Sequence, residues 1–289
     1  MKIALSAETT IDMNKELLAK YDIHTVPFFV LLGTEEIADD DLPPKKIFEY
    51  VSNSGKLAKT CAVNESQYET HFNALLASHD TIVHISLSSE MSSAFSNAQR
   101  VAKQINESAK KEKVFVLDSR SLSTGIALLA LYARKLIDGG LSANIVMQKL
   151  AERVPHVQAS FVLKRVDYLY KGGRCGYLQM LGANLLRLRP QIIVENGKMK
   201  PGAKYRGSFD VVTGKYVLDT LDKFNNPDLS QVFITYTTAT DTVIDNIKEM
   251  LTKRGFKNIL VTNANATVSS HCGEDCLGIL YINDGESIS

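Results

Sequence analysis

The chain has 289 residues, 45% of them hydrophobic and 22% charged, with 33 Lys and Arg against 32 Asp and Glu. That length suits about two domains, and that apolar fraction suits a folded chain rather than a disordered one. A formal net charge of +1 gives no global field to hold a polyanion, so a nucleic-acid partner is not expected. Cys61, Cys175, Cys272 and Cys276 are too few and too scattered for a disulfide framework, which points to a reducing, cytoplasmic setting. Glu8 interrupts the opening apolar run before a signal peptide can develop. The greasiest stretches, 26–32 and 126–137, fall short of the roughly 20 residues that span a bilayer.

The elements then alternate. Residues 3–6, 26–32, 81–87 and 113–117 are aliphatic or β-branched runs of strand length. Between them lie helical patterns: one opens at Pro43 and Pro44 and closes at Gly55, one follows Ser66 and Glu69 at capping-box spacing, and one starts at Ser92. Strands separated by helices run parallel, so the first half predicts an α/β domain with a mainly parallel sheet. Helices are expected over 124–138 and 142–154, Pro155 breaks the pattern, and the boundary falls there, giving domains 1–155 and 156–289. The second half predicts strands at 157–163 and 191–194, a hairpin turn at Asn196-Gly197, helices over 211–224 and 240–254, and strands at 232–236, 258–262 and 277–282. A second α/β domain with a mixed sheet fits.

Standard chemistry is largely excluded. There is no P-loop, no G-x-S-x-G elbow and no H-E-x-x-H, and Gly172-Gly173-Arg174-Cys175-Gly176 lacks dinucleotide-binding spacing. Cys272 and Cys276 are too far apart for C-x-x-C, so neither a zinc nor a redox site is expected. No cofactor is implied. His24, His71, His79, His84 and His156 fall in strand or helix patterns and read as surface or satisfied core residues, whereas His271 lies in a polar turn ahead of the last strand. Ser86, Ser88, Ser89, Ser92 and Ser93 crowd a strand's carboxyl end beside a helix amino terminus, which suits helix capping or an anion. Lys164, Arg165, Lys171, Arg174, Arg187, Arg189, Lys198, Lys200, Lys204 and Arg206 form a basic stretch with few acids, read as a solvated face or a docking rim. Three readings follow: a ligand-presenting protein, an acyl-processing enzyme with a Ser or Cys nucleophile and His271, and an interaction protein using the basic stretch.

These segments resemble the DegV family from end to end. Residues 1–13 resemble its opening strand, with Glu8 at the usual Asp position, and 60–64 stands where the family has T-S-Q-P-S, keeping only the Thr. Ser88-Ser89-Glu90-Met91-Ser92-Ser93 resembles S-S-x-L-S-G, with Ser93 replacing Gly. Tyr168-Leu169-Tyr170-Lys171-Gly172-Gly173-Arg174 resembles Y-L-x-K-G-G-R, and 270–275 resembles an H-x-G-P-G turn with Glu274 and Asp275 as departures. Members of that family include the fatty-acid-binding subunits of bacterial fatty acid kinase. The resemblance implies two α/β domains with one long-chain fatty acid between them. Its carboxylate is expected on Thr60 and Ser92, with His271 beside them and Arg206 as a basic partner. It further implies that the chain is a carrier, with a separate ATP-dependent kinase phosphorylating the bound acid to acyl phosphate. The carrier has no membrane span but is free to touch a membrane transiently.

Overall fold

The computed structural model describes residues 2–175 and 188–285. In chain order the strands are β1 (Ile3–Glu8), β2 (Ile23–Val26), β3 (Phe29–Leu32), β4 (Glu35–Ala38), β5 (Lys59–Cys61), β6 (Thr81–Ser86), β7 (Val114–Asp118), β8 (Val157–Val162), β9 (Arg189–Glu195), β10 (Lys198–Tyr205), β11 (Val232–Tyr236), β12 (Ile259–Asn263) and β13 (Leu277–Ile282). The helices are α1 (Lys15–Lys20), α2 (Pro44–Ser54), α3 (Glu65–Leu76), α4 (Ala94–Ala109), α5 (Thr124–Asp138), α6 (Ala143–Arg153), α7 (Asp167–Lys171), α8 (Phe209–Lys223), α9 (Asp241–Arg254) and α10 (Ala266–Cys272).

Two α/β domains result. The first carries an all-parallel sheet ordered β2-β1-β6-β7 and the second a mixed sheet ordered β10-β9-β8-β13-β11-β12. β1 and β6 are buried along their whole length, as expected of strands covered on both faces. Helix α5 lies between the domains. Residues 124–130 and Ala133 are all buried, and α5 packs against β1 and β6 of one sheet and β8 and β13 of the other.

Three local expectations are corrected. Residues 26–32 are not one strand: the chain breaks at Pro27, β2 joins the parallel sheet, and β3 joins a separate antiparallel sheet ordered β4-β3-β5. Pro27 lacks the N–H that a continuous ladder needs. The capping box sits two residues earlier than expected, on Asn64 and Gln67, where each side chain accepts from the other's backbone N–H at 3.0 and 2.8 Å. His271 lies not in a turn but in the last turn of α10.

Candidate functional site

Thr60 comes from β5, Ser92 from the loop between β6 and α4, and His271 from α10. All three line one cavity. Thr60 Oγ1 and His271 Nε2 are 2.9 Å apart, across 211 residues of sequence. The remaining wall is mainly apolar, from Phe28, Ala62, Leu87, Met91, Leu122, Met199, Val268 and Cys272.

The hydroxyls are arranged for donation. Burial, with the charge of Arg174 adding to it, holds the His271 pKa down at about 4, so near neutral pH the imidazole carries one proton. With that proton on Nε2, His271 donates to Thr60 Oγ1 and leaves the Thr60 O–H free. Ser92 Oγ accepts from the Ala94 N–H at 3.2 Å, which likewise frees its own proton. The other serines of that loop are engaged: Ser86 donates to Glu8, Ser88 to the Gly197 carbonyl, and Ser89 to Asp118. Ser93 is exposed at the head of α4.

The two glycine-bearing motifs interlock around His271. A Cβ on Gly172 would lie 2.6 Å from His271 Nδ1, and one on Gly273 would lie 2.9 Å from the Tyr168 ring. Both positions therefore exclude side chains, and α7 and the end of α10 approach closely enough to fix the imidazole. Gly173 takes φ +73°, which lets the chain turn back towards Arg174.

Arg206 is exposed just after β10 and does not line the cavity. Arg174 does. It also lines a broader outer hollow that shares Thr60, Arg174 and His271 with the cavity and carries Lys56, Lys59 and Lys171. No acidic side chain is among the described residues lining that hollow. Much of the rest of the basic stretch is paired: Lys164 with Asp275, Arg165 with Asp167, Lys198 with Glu90 and Lys200 with Glu195. Arg187 lies outside the described residues.

Leu122, Val268 and Cys272 also line a second, smaller inner cavity. The inner wall adds Phe161, Tyr236, Leu280 and the backbone side of Gly278. Residues of both domains thus line two adjoining, mainly apolar cavities, the first of which carries the polar groups.

Sequence reasoning missed the buried polar work behind the site. His84 lies 3.0 Å from Ser6 Oγ and 3.1 Å from Glu8 Oε1, the order of a Ser-His-acid triad. Ser6 and His84 are wholly buried, however, and line none of these cavities. Ser6 Oγ is also shared with His71 Nε2 at 2.8 Å. The group is structural: Glu8 Oε2 accepts from the Leu87 N–H at 2.9 Å and so shapes the cavity wall. Asp12 and Asp39 hold the start of α10, accepting from the backbone N–H groups of Asn265 and Thr267.

A family model for DegV, described as an uncharacterised protein family, matches residues 2–284. The chain belongs to the DegV family. Among curated relatives, a fatty acid-binding protein of Thermotoga maritima is 28% identical over 213 residues, 72% of each chain. Among solved structures, a DegV protein of Thermus thermophilus described by its fatty acid binding has TM-score 0.88 at 21% identity, covering 98% of this chain and 100% of that one. The fatty acid kinase B3 protein of Streptococcus pneumoniae, solved with linoleic acid, has TM-score 0.84 at 20% identity, with the same coverage. These likenesses agree with the DegV fold of two α/β domains seen here.

Proposed function

We propose that this DegV protein binds a long-chain fatty acid, with its carboxylate on Thr60 and Ser92 beside His271 and its tail along the cavities between the domains, and presents it to a separate kinase. The observation that carries this reading is the pairing of Thr60 with His271 in an otherwise mainly apolar cavity that adjoins a second one. The fatty acid binding of the Thermotoga and Thermus relatives and the linoleic acid in the Streptococcus protein support it.

Burying about 14 methylenes at roughly 0.8 kcal/mol each supplies on the order of 11 kcal/mol before immobilisation costs. A carboxylate without donors in such a site would be prohibitive. Thr60 and Ser92 each offer a free O–H, and neutral donors satisfy the head group without neutralising it. The carboxylate oxygen then remains a nucleophile. In transfer to it, the phosphoryl group enters from the hollow lined by Lys56, Lys59, Lys171 and Arg174, whose charges stabilise the phosphate, since such catalysis is mostly positioning and electrostatics.

The fatty acid binding of the relatives favours this reading over an acyl-processing enzyme. Arg206 stands apart from the head group, so any role in this reaction lies at the surface facing the kinase. An organic extract of the purified protein, analysed by mass spectrometry, should yield close to one fatty acid per chain. A chain that carries none, binds none when offered oleic acid and hydrolyses acyl esters would overturn the proposal. With a fatty acid kinase and ATP, Arg174→Ala should lower acyl-phosphate formation while leaving lipid retention intact.

A further inference from the structure

The tip of the β9–β10 hairpin leaves its own sheet and rests on the first domain. Among the described residues, the ladder between β8 and β9 runs only from Ser160–Ile193 to Val162–Gln191, although β8 starts at Val157 and β9 ends at Glu195. Continued in the same register, it would pair Ala159 with Val194 and Gln158 with Glu195. These residues part instead, and an open hollow lies between them that Asn196 and Arg120 also line. From the same tip, Met199 forms part of the wall of the cavity that Thr60, Ser92 and His271 line. The β9–β10 ladder itself shifts register between Pro201 and Lys204, an irregularity of the kind that bends a strand.

Polar contacts to the loop before α4, and to Arg120 just after β7, hold the tip there. Arg120 takes φ +50°, uncommon for a residue with a side chain. Its Nη2 donates to the Asn196 carbonyl at 2.6 Å and its Nη1 to Ser89 Oγ at 3.3 Å, with the Glu90 and Asp118 carboxylates each 3.5 Å from Nη1. Ser88 Oγ donates to the Gly197 carbonyl at 2.8 Å, and Lys198 pairs with Glu90 at 3.2 Å. A Cβ on Gly197 would lie 2.7 Å from Ser88 Oγ, so glycine is what lets the turn come this close. The same loop bears Ser92. One guanidinium thus joins the loop of the proposed head-group site to the hairpin that supplies part of the cavity wall.

We infer that Arg120 is a positioning residue, the centre of an interdomain clasp that holds the hairpin tip over the cavity and sets how fast a fatty acid passes that wall. The inference rests on the proposed function for the identity of the ligand, whereas the clasp is placed by its own contacts. A ligand enclosed between two domains has to part a wall to enter. The tip breaks no ladder with β8 when it lifts, so the contacts around Arg120 and the packing of Met199 are what oppose its movement. The Lys198–Glu90 pair is solvent-exposed and individually weak, but a hydrogen bond from a guanidinium is charge-assisted and stronger. The hollow on the β8 side leaves the tip room to move. Arg120 lines that hollow and not the cavity, so it acts on the ligand only through the hairpin and the loop. Its loss lowers the barrier to passage more than it weakens the bound state.

The test compares the full chain with Arg120→Ala and Arg120→Lys, following uptake and release of oleic acid by stopped-flow exchange with fluorescently labelled serum albumin. Arg120→Ala should raise both rates about tenfold, the factor for a barrier lowered by one charge-assisted hydrogen bond, while Kd stays within about twofold. Arg120→Lys keeps a charge facing Glu90 and Asp118 but lacks the fork that also reaches Asn196, and should fall between. Faster release alone with a weaker Kd would assign Arg120 to the bound state, and unchanged rates would take the hairpin off the entry route; either result overturns the gating. Spin labels on Glu195→Cys and Lys111→Cys, in a Cys61→Ser background, should report one distance in the ligand-free chain and a broader distribution once Arg120→Ala is added. An unchanged distribution would overturn the clasp. If none of the chains binds oleic acid, the functional reading falls and the gating with it, while the label distances still decide the clasp.

Discussion

Glu8 ends β1 and Asp12 lies four residues beyond it; both are wholly buried, yet they sit on opposite sides of ionisation. Burial raises the Glu8 pKa, but the charge and hydrogen bond of His84 and the hydroxyls of Ser86 and Tyr68 outweigh it, and the group ends below its ordinary value. Burial pushes Asp12 up to about 8, because hydrogen bonds from Ser123 and Asn265 offset only part of the cost and the nearby charge of Asp39 adds to it. Donor supply decides which buried carboxylate keeps its charge. Glu8 has Tyr68 Oη, Ser86 Oγ, His84 Nε2 and the Leu87 N–H within 2.6 to 3.1 Å. Asp12 has Ser123 Oγ and the Asn265 N–H, at 2.5 and 2.8 Å. In the proposed function, a fatty-acid carboxylate held by Thr60 and Ser92 would face the same choice.

The sharpest way to break the contrast is to remove Glu8. Glu8→Ala would strand His84, two hydroxyls and the Leu87 N–H in the core. Breaking a buried ionic group costs about 3–5 kcal/mol, and urea denaturation should show a loss of that order. A loss under about 1 kcal/mol would mean that the donors find other partners and that Glu8 is not their organiser.

Asp12 makes the opposite prediction, one of pH. Its folded pKa of about 8 lies above the ordinary value of 3.8, so its contribution to stability is fully present below pH ~4 and is lost as pH rises through about 8. Between pH 5 and 7 the loss follows the linkage slope of about 1.4 kcal/mol per unit, near 3 kcal/mol in all. Asn keeps the oxygen that accepts from the Asn265 N–H and removes the ionisation. Asp12→Asn should therefore flatten the stability-against-pH curve over that window relative to wild type. Parallel curves would show that Asp12 does not titrate there.

These carboxylates also mark where a sequence stops being readable. The strand-helix rhythm was legible because apolar spacing and caps are local: Thr240 and Gly255 bracket α9, and Asn196-Gly197 turns β9 into β10. The break at Pro27 was not, because a greasy run reads as one strand until the partner strands are known. The Thr60–His271 pair spans 211 positions and was suggested only by family resemblance, since no local pattern links a strand residue to a helix so distant. The same applies to Glu8, whose four donors come from residues 68 to 87. The resemblance also brought in Arg206, whereas the structure puts Arg174 of the K-G-G-R stretch at the cavity mouth. Motif order along the chain does not reveal which of two arginines faces inward.

The smallest effect belongs to the proposed head-group site, where the comparison with Glu8 is most direct. Thr60 and Ser92 together supply two hydroxyl donors, fewer than Glu8 has, and His271 is neutral because burial and Arg174 hold it near 4. Removing one donor to a charged group costs about 1.5 kcal/mol at the low end, so Ser92→Ala should weaken oleic acid binding roughly tenfold. The donors that remain would then be too few to keep the acid ionised as readily. In a ¹³C-carboxyl NMR titration, the bound acid should show a higher pKa in Ser92→Ala than in wild type, the shift that separates Asp12 from Glu8. An unchanged carboxyl pKa with weaker binding would place Ser92 on the tail, and an unchanged affinity would remove it from the head group altogether.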